Sequence, residues 1–190
     1  MIQLLINKPF GSKRKLSKEE FLNDYVKGNV QSGAVYFLEP HVKDSKLPIH
    51  IDIDLEYNLE AKLDENELKE KYYNATVQIL EILREDLNIS QEMIIDLSCR
   101  PPYVKGNYMH AGFHLYISPR VSKKFMQTLR VNLINGDFQT LFGCINKPED
   151  IFDKALFNRS NGLYLIGQQK WRSKQYITVA HKLFFHGVMK

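Results

Sequence analysis

Apolar and polar positions alternate strictly through residues 48–57, PIHIDIDLEY. In a strand this places Ile49, Ile51, Ile53 and Leu55 on one face and His50, Asp52, Asp54 and Glu56 on the other. Residues 112–118, GFHLYIS, alternate the same way, with Phe113, Leu115 and Ile117 opposite His114 and Tyr116. Further strands are expected at 34–39, 92–98, 162–167 and 175–180, where β-branched and aromatic residues cluster between turn-forming stretches. Helical spacing appears instead at 64–84, where Leu68, Tyr72, Ala75, Ile79, Ile82 and Leu83 recur at threes and fours and share one face. A second amphipathic helix is expected over 120–135, ending where Gly136 offers a left-handed cap, and a short helical piece over 138–142. Ser17 and Glu20 have the spacing of a capping box and predict a helix start. The stretch CRPPYVKGNYMHA, 99–111, reads as a polar loop with proline and glycine.

Strands and helices alternate without strict βαβ repetition, which argues for an α+β or α/β layered domain whose sheet is mixed and mostly antiparallel. At 190 residues one domain is expected. Composition changes little in this picture, with 44% hydrophobic and 25% charged residues. No apolar run approaches the roughly 20 residues of a spanning helix, so no membrane role is expected. The N-terminus runs apolar then basic, the reverse of a secretory signal. Two cysteines, Cys99 and Cys144, provide no disulfide framework and no four-cysteine zinc site, and suit an intracellular, reducing location. The net charge of +4 is mild, but basic residues cluster at 13–15, 120–124 and 170–174.

Candidate chemistry sits on the alternating strands. Side chains at i and i+2 are about 6.6 Å apart along a strand, so Asp52 and Asp54 can lean onto one or two hard divalent cations. The same pattern is also compatible with an acidic face in water. His114 can donate to a phosphate or ligate a metal, or it can be a hydrogen-bonded structural histidine. Asp153, Arg159 and Lys170 follow in one segment, a carboxylate for a cation and cations for phosphates, or else an ordinary ion-paired surface.

Taken in order, the Asp-x-Asp of IHIDIDL, the Phe-His of AGFHLYIS and the acid followed by a basic tail in IFDKALFNRSNGLYLIGQQK resemble the three motifs of the archaeo-eukaryotic primase superfamily. More narrowly, the chain resembles the primase domain at the front of the primase-helicases of large nucleo-cytoplasmic DNA viruses of the poxvirus and African swine fever virus group. The resemblance runs from His50 to Lys170. It implies an RRM-like core flanked by helices, with Asp52, Asp54 and Asp153 as catalytic residues holding two ions, Mg²⁺ or Mn²⁺; with two cysteines and no zinc-binding cluster of them, no zinc is expected. It implies that His114 contacts the nucleotide's phosphates, with Lys170 closing the third motif and Arg159 as a second phosphate contact. Two positions depart from the pattern. Gly112 stands where a small hydroxyl residue is usual, and Tyr164 where many relatives have arginine.

The activity so implied is a DNA primase, a nucleotidyltransferase that makes primers on a single-stranded DNA template from NTPs or dNTPs. Arg100, Tyr103, Lys105, Tyr108, Lys123, Lys124 and Arg172 are the candidate nucleic-acid contacts, since cations hold phosphates and aromatic rings stack on bases. There is no phosphate loop of the G-x-x-x-x-G-K-[ST] kind. The resemblance implies a helicase in cis, C-terminal to this chain, and action at cytoplasmic or nuclear replication sites of an infected host cell. The alternative is a non-catalytic single-stranded nucleic-acid-binding module with a structural acidic face. A phosphatase or sugar transferase using Asp-x-Asp fits less well, because Glu56 stands where the phosphatase pattern has threonine or valine.

Overall fold

The computed structural model describes residues 4–7, 13–17, 19–20, 23, 36–38, 46–87, 93–157 and 177–185. In chain order these hold β1 (Leu4–Asn7), β2 (Lys13–Leu16), β3 (Tyr36–Leu38), β4 (Leu47–Asn58), α1 (Glu65–Leu87), β5 (Met93–Cys99), β6 (Tyr103–Lys105), β7 (Tyr108–Val121), α2 (Lys123–Asn135), α3 (Phe138–Phe142), α4 (Pro148–Ile151), α5 (Lys154–Phe157) and β8 (Ile177–Phe185). The expected strand at 162–167 lies outside the described residues.

Two sheets form. The first, in the order β2-β1-β3, is antiparallel, and its two leading strands were not expected from the pattern. The second runs β4-β7-β5-β8, with β6 pairing β7 as a hairpin, and every described pairing is antiparallel. Since β4 and β5 both run opposite to β7, they are parallel to one another, and α1 connects them while β7 inserts between. That arrangement is a split βαβ unit, and with its helices it makes the domain α+β.

The alternation predicted the core. Ile49, Ile51, Ile53 and Leu55 are fully buried, as are Ile95, Leu97 and Leu115 on the neighbouring strands. The helix α1 covers this face with Leu68, Tyr72, Ala75, Ile79 and Leu83, and the Tyr72 ring stacks on Phe113 at 4.5 Å. From α2, Met126, Leu129 and Leu133 join the same core. Phe138, Phe142 and Phe152 close its end, with Phe138 edge-on to Phe152 at 5.3 Å. The last carbonyl of α3, Phe142 O, accepts from Lys71 Nζ at 3.0 Å and Tyr57 Oη at 3.3 Å, which satisfies a group that a helix end leaves open.

Local signals held in part. Ser17 and Glu20 make the reciprocal capping box, each backbone N–H donating to the other's side chain at 2.8 and 3.1 Å. Gly136 is not left-handed: its φ is −78°, and it is needed because a Cβ there would come within 2.8 Å of the Phe138 ring. The left-handed cap is Gly143 instead, at φ 65°, closing α3. The expected loop over 99–111 contains the β6 hairpin, where Lys105 pairs Tyr108 across Gly106, which has φ 60°.

The outer edge of β4 is covered by residues 145–153. Ile145 N–H donates to Glu56 O at 2.8 Å, and Asn146 makes two bonds, Nδ2 to Asp54 O at 2.8 Å and Oδ1 from Glu56 N–H at 3.1 Å. Farther along, Phe152 bridges Ile53 and Asp153 N–H donates to Asp52 O at 3.2 Å. The buried Asn146 amide thus serves as both donor and acceptor, as a pairing strand would. Asn146→Asp keeps the acceptor, loses the donor and buries a charge beside a carbonyl. A loss of about 2 kcal/mol, or roughly 6 °C in Tm, is expected by thermal unfolding at pH 8.

Candidate active site

The face of the second sheet opposite α1 carries the polar positions of β4, β7 and β5. Register places them in rows. Asp52 lies opposite His114, which lies opposite Ser98 on β5, and Asp54 lies opposite Gly112. His114 is buried and its Nε2 stands 3.1 Å from Asp52 Oδ1, a pairing that the strand register sets directly. Ser98 was not singled out from the sequence, although its place on the polar face of β5 follows from the alternation. Its Oγ is buried beside His114 without a hydrogen-bond partner among the described residues.

Asp54 is partly open to solvent, yet protein surrounds much of its carboxyl group. That burial, followed by the negative charge of Asp52, pushes its pKa from 3.8 up to about 7; His114 and Arg100 pull it down, and Asp153 pushes it up again. Three acids therefore share one electrostatic site, although Asp153 is about a hundred residues from the others in sequence. The edge segment brings it there, through the Asp153 N–H to Asp52 O bond.

Gly112 has φ +155°, and a Cβ on it would come within 2.2 Å of Ile53 O. The hydroxyl residue that the motif usually carries has no room here, because β7 presses on β4 directly beside Asp54.

A second cluster adjoins the acids. Tyr103 pairs His110 across the hairpin and their rings stack at 5.5 Å, while Arg100 Cζ lies 4.0 Å over the Tyr103 ring and its Nη2 donates to the phenol. His110 Nδ1 stands 3.9 Å from Glu56 Oε1. Burial raises the Tyr103 pKa, opposed by Arg100 and reinforced by Asp54, Asp52 and Glu56, so the phenol feels the same acids. Of the candidate nucleic-acid residues, Arg100 and Tyr103 thus border the acid site, with Lys105 and Tyr108 exposed at the hairpin tip. Lys123 and Lys124 lie beyond the far end of β7, whose 14 residues extend about 45 Å, so they form no single patch with the hairpin. Arg159, Tyr164, Lys170 and Arg172 lie outside the described residues.

Among the described residues, no three His, Cys, Asp or Glu side chains close into a ligand cage. The donor set nonetheless suits a hard divalent cation. It offers carboxylate oxygens in excess of nearby cations, and the raised Asp54 pKa, set by burial first and by the charge of Asp52 second, marks a carboxylate whose ionised form a metal ion would stabilise.

No helix among the described residues is long and apolar enough to cross a membrane. No curated protein matches the chain. The family model described as the C962R protein N-terminal AEP domain matches residues 14–183, which is most of the chain. AEP denotes the archaeo-eukaryotic primases, whose domains in general are primase or polymerase-type nucleotidyltransferases using divalent metals, DNA and nucleotides. With the expected α+β fold present, and Asp52, Asp54 and His114 on one sheet face, the chain belongs to the family of C962R N-terminal archaeo-eukaryotic primase domains.

Proposed function

We propose that this domain synthesises primers on single-stranded DNA by template-directed, metal-dependent nucleotidyl transfer, in the replication of a viral genome. The observation that supports this most directly is the Asp52–His114 pair at 3.1 Å with Asp54 and Asp153 beside it. In this reading Asp52, Asp54 and Asp153 hold two divalent ions, Mg²⁺ or Mn²⁺. When bound, such ions neutralise the triphosphate and make the primer's 3′-hydroxyl a better nucleophile.

The protein's own groups then have distinct tasks. Asp54 gives up its proton to become a ligand, and Asp52 orients the His114 imidazole by accepting from Nε2. The same Nε2–H of the buried His114 can turn from Asp52 to a phosphate oxygen once the nucleotide draws near and Asp52 is engaged by a cation. Arg159 and Lys170 add positive charge for the phosphates. Arg100, Tyr103, Lys105 and Tyr108 guide the template past the acids, with Lys123, Lys124 and Arg172 as outlying phosphate contacts. The domain is proposed to form the front of a primase-helicase acting at replication sites of an infected cell.

The test is primer synthesis on single-stranded DNA with ribonucleotides and deoxyribonucleotides in separate reactions, each with Mg²⁺ and with Mn²⁺. Labelled product that disappears in Asp52→Ala is expected. Metal-independent DNA binding without product, and without Mn²⁺-dependent nucleotide binding, would show a binding module instead.

A further inference from the structure

Asp153 occupies an unusual place for a residue of an active site. It sits on no sheet strand but on the turn between α4 and α5, each of four residues. Helices so short have no cooperative stability of their own, so something outside them must select the turn's conformation.

The hydrogen-bond ledger identifies the selector. Were α4 to continue, Asp153 N–H would donate to the carbonyl four residues back, Glu149 O. It donates instead to Asp52 O at 3.2 Å, which draws Asp153 to the acid pair. The Glu149 carbonyl so vacated is taken by Arg130, whose Nη2 donates to it at 2.7 Å, while Nε donates to Phe152 O at 3.2 Å. One planar guanidinium thus holds two carbonyls three residues apart, and the second belongs to the residue directly before Asp153. Arg130 is anchored on α2 between residues that pack into the core, Leu129 and Leu133.

We propose that Arg130 is a positioning residue for Asp153. By occupying the Glu149 carbonyl and gripping that of Phe152, it competes with the helical alternative for the Asp153 amide and keeps Asp153 beside Asp52. The proposal rests on the reading of Asp153 as a metal ligand, and it carries a sign that simple electrostatics would not give. Removing a nearby positive charge should strengthen cation binding, whereas loss of this clamp should weaken it. Lysine can satisfy one carbonyl but lacks the fork to satisfy both.

The experiment compares the wild-type domain with Arg130→Met, Arg130→Lys and Asp153→Ala. Each is subjected to Mn²⁺ titration by calorimetry, amide exchange of the metal-free protein at Phe152 and Asp153, and primer synthesis over a range of Mn²⁺. Arg130→Met is expected to raise the Mn²⁺ Kd about 10-fold or more, to speed exchange at the Asp153 amide, and to regain kcat at saturating Mn²⁺. Arg130→Lys should fall between. A variant damaged only in stability would lose active fraction equally at every Mn²⁺ concentration, and Arg130→Lys provides the measurement should Arg130→Met fail to fold. Wild-type exchange and wild-type Mn²⁺ affinity in folded Arg130 variants, with weaker binding in Asp153→Ala, would overturn the proposal. Equal Mn²⁺ binding by wild type and Asp153→Ala would instead remove Asp153 as a ligand, and unchanged exchange in the Arg130 variants would then overturn the clamp as well.

Discussion

Asp54→Asn is expected to reduce primer synthesis on the order of 10³-fold or more while making the metal-free protein more stable. The two effects have one origin. A carboxylate whose pKa rises from 3.8 to about 7 on folding binds its proton more tightly in the native state than in the unfolded chain. Its contribution to stability is therefore full below pH 3.8 and is lost as pH rises to about 7, beyond which the ionised group is a net penalty. Asparagine has no such titration. The Tm difference between variant and wild type should be near zero at pH 4, grow through pH 5 to 7 and level off at pH 8. Asp54 is partly open to solvent, which screens the penalty, so a gain on the order of 1 kcal/mol, or about 3 °C, is expected at pH 8. Adding Mn²⁺ should reverse the order, because only the wild-type carboxylate gains a cation. Thermal unfolding across pH with and without Mn²⁺ checks both halves. A variant no more stable than wild type at pH 8 without metal would contradict the origin assigned to the shift.

Gly112→Ala and Gly112→Ser should be damaging to the same extent. A Cβ within 2.2 Å of Ile53 O cannot be absorbed by a side-chain rotation, because the atom it meets is backbone, and φ +155° is strained for any residue but glycine. Each variant should lose about 3 kcal/mol or more, roughly 10 °C in Tm. Each should also weaken Mn²⁺ binding, since relief of the clash must part β7 from β4 at the pair that holds Asp54. Serine provides the hydroxyl usual in the motif and alanine does not. A serine variant that outperforms alanine in nucleotide KM would mean that the hydroxyl has a use here that outweighs sterics.

How far the sequence foretold the site depends on the range of the interactions involved. The strands at 48–57 and 112–118 were legible because an alternating pattern is a local consequence of burying one face. The face on which Asp52, Asp54 and His114 lie followed from the same parity. Their register did not, since it depends on β7 entering between β4 and β5. The β6 hairpin was legible in principle, as Gly106-Asn107 is a recognised two-residue turn, but the polar character of the stretch, with its prolines and glycine, favoured a loop. The turn at Gly136 was misjudged because glycine can serve either dihedral freedom or close packing, and only the neighbouring Phe138 ring decides which. Asp153 was singled out by its motif, whereas Asn146 and Arg130 were not. Their partners are backbone carbonyls and amides, which leave no trace in side-chain patterns.

The covering of β4 by residues 145–153 also bears on how the domain behaves in a crowd. A bare outer strand presents a row of amides and carbonyls to any other chain, inviting edge-to-edge association and the growth of aggregates. Here Asp52 O, Asp54 O, Glu56 O and the Glu56 amide are already taken by the chain's own segment. The strand that bears the acids is thereby closed to foreign strands along that stretch. The segment that brings the third acid into place also protects the first two from self-assembly.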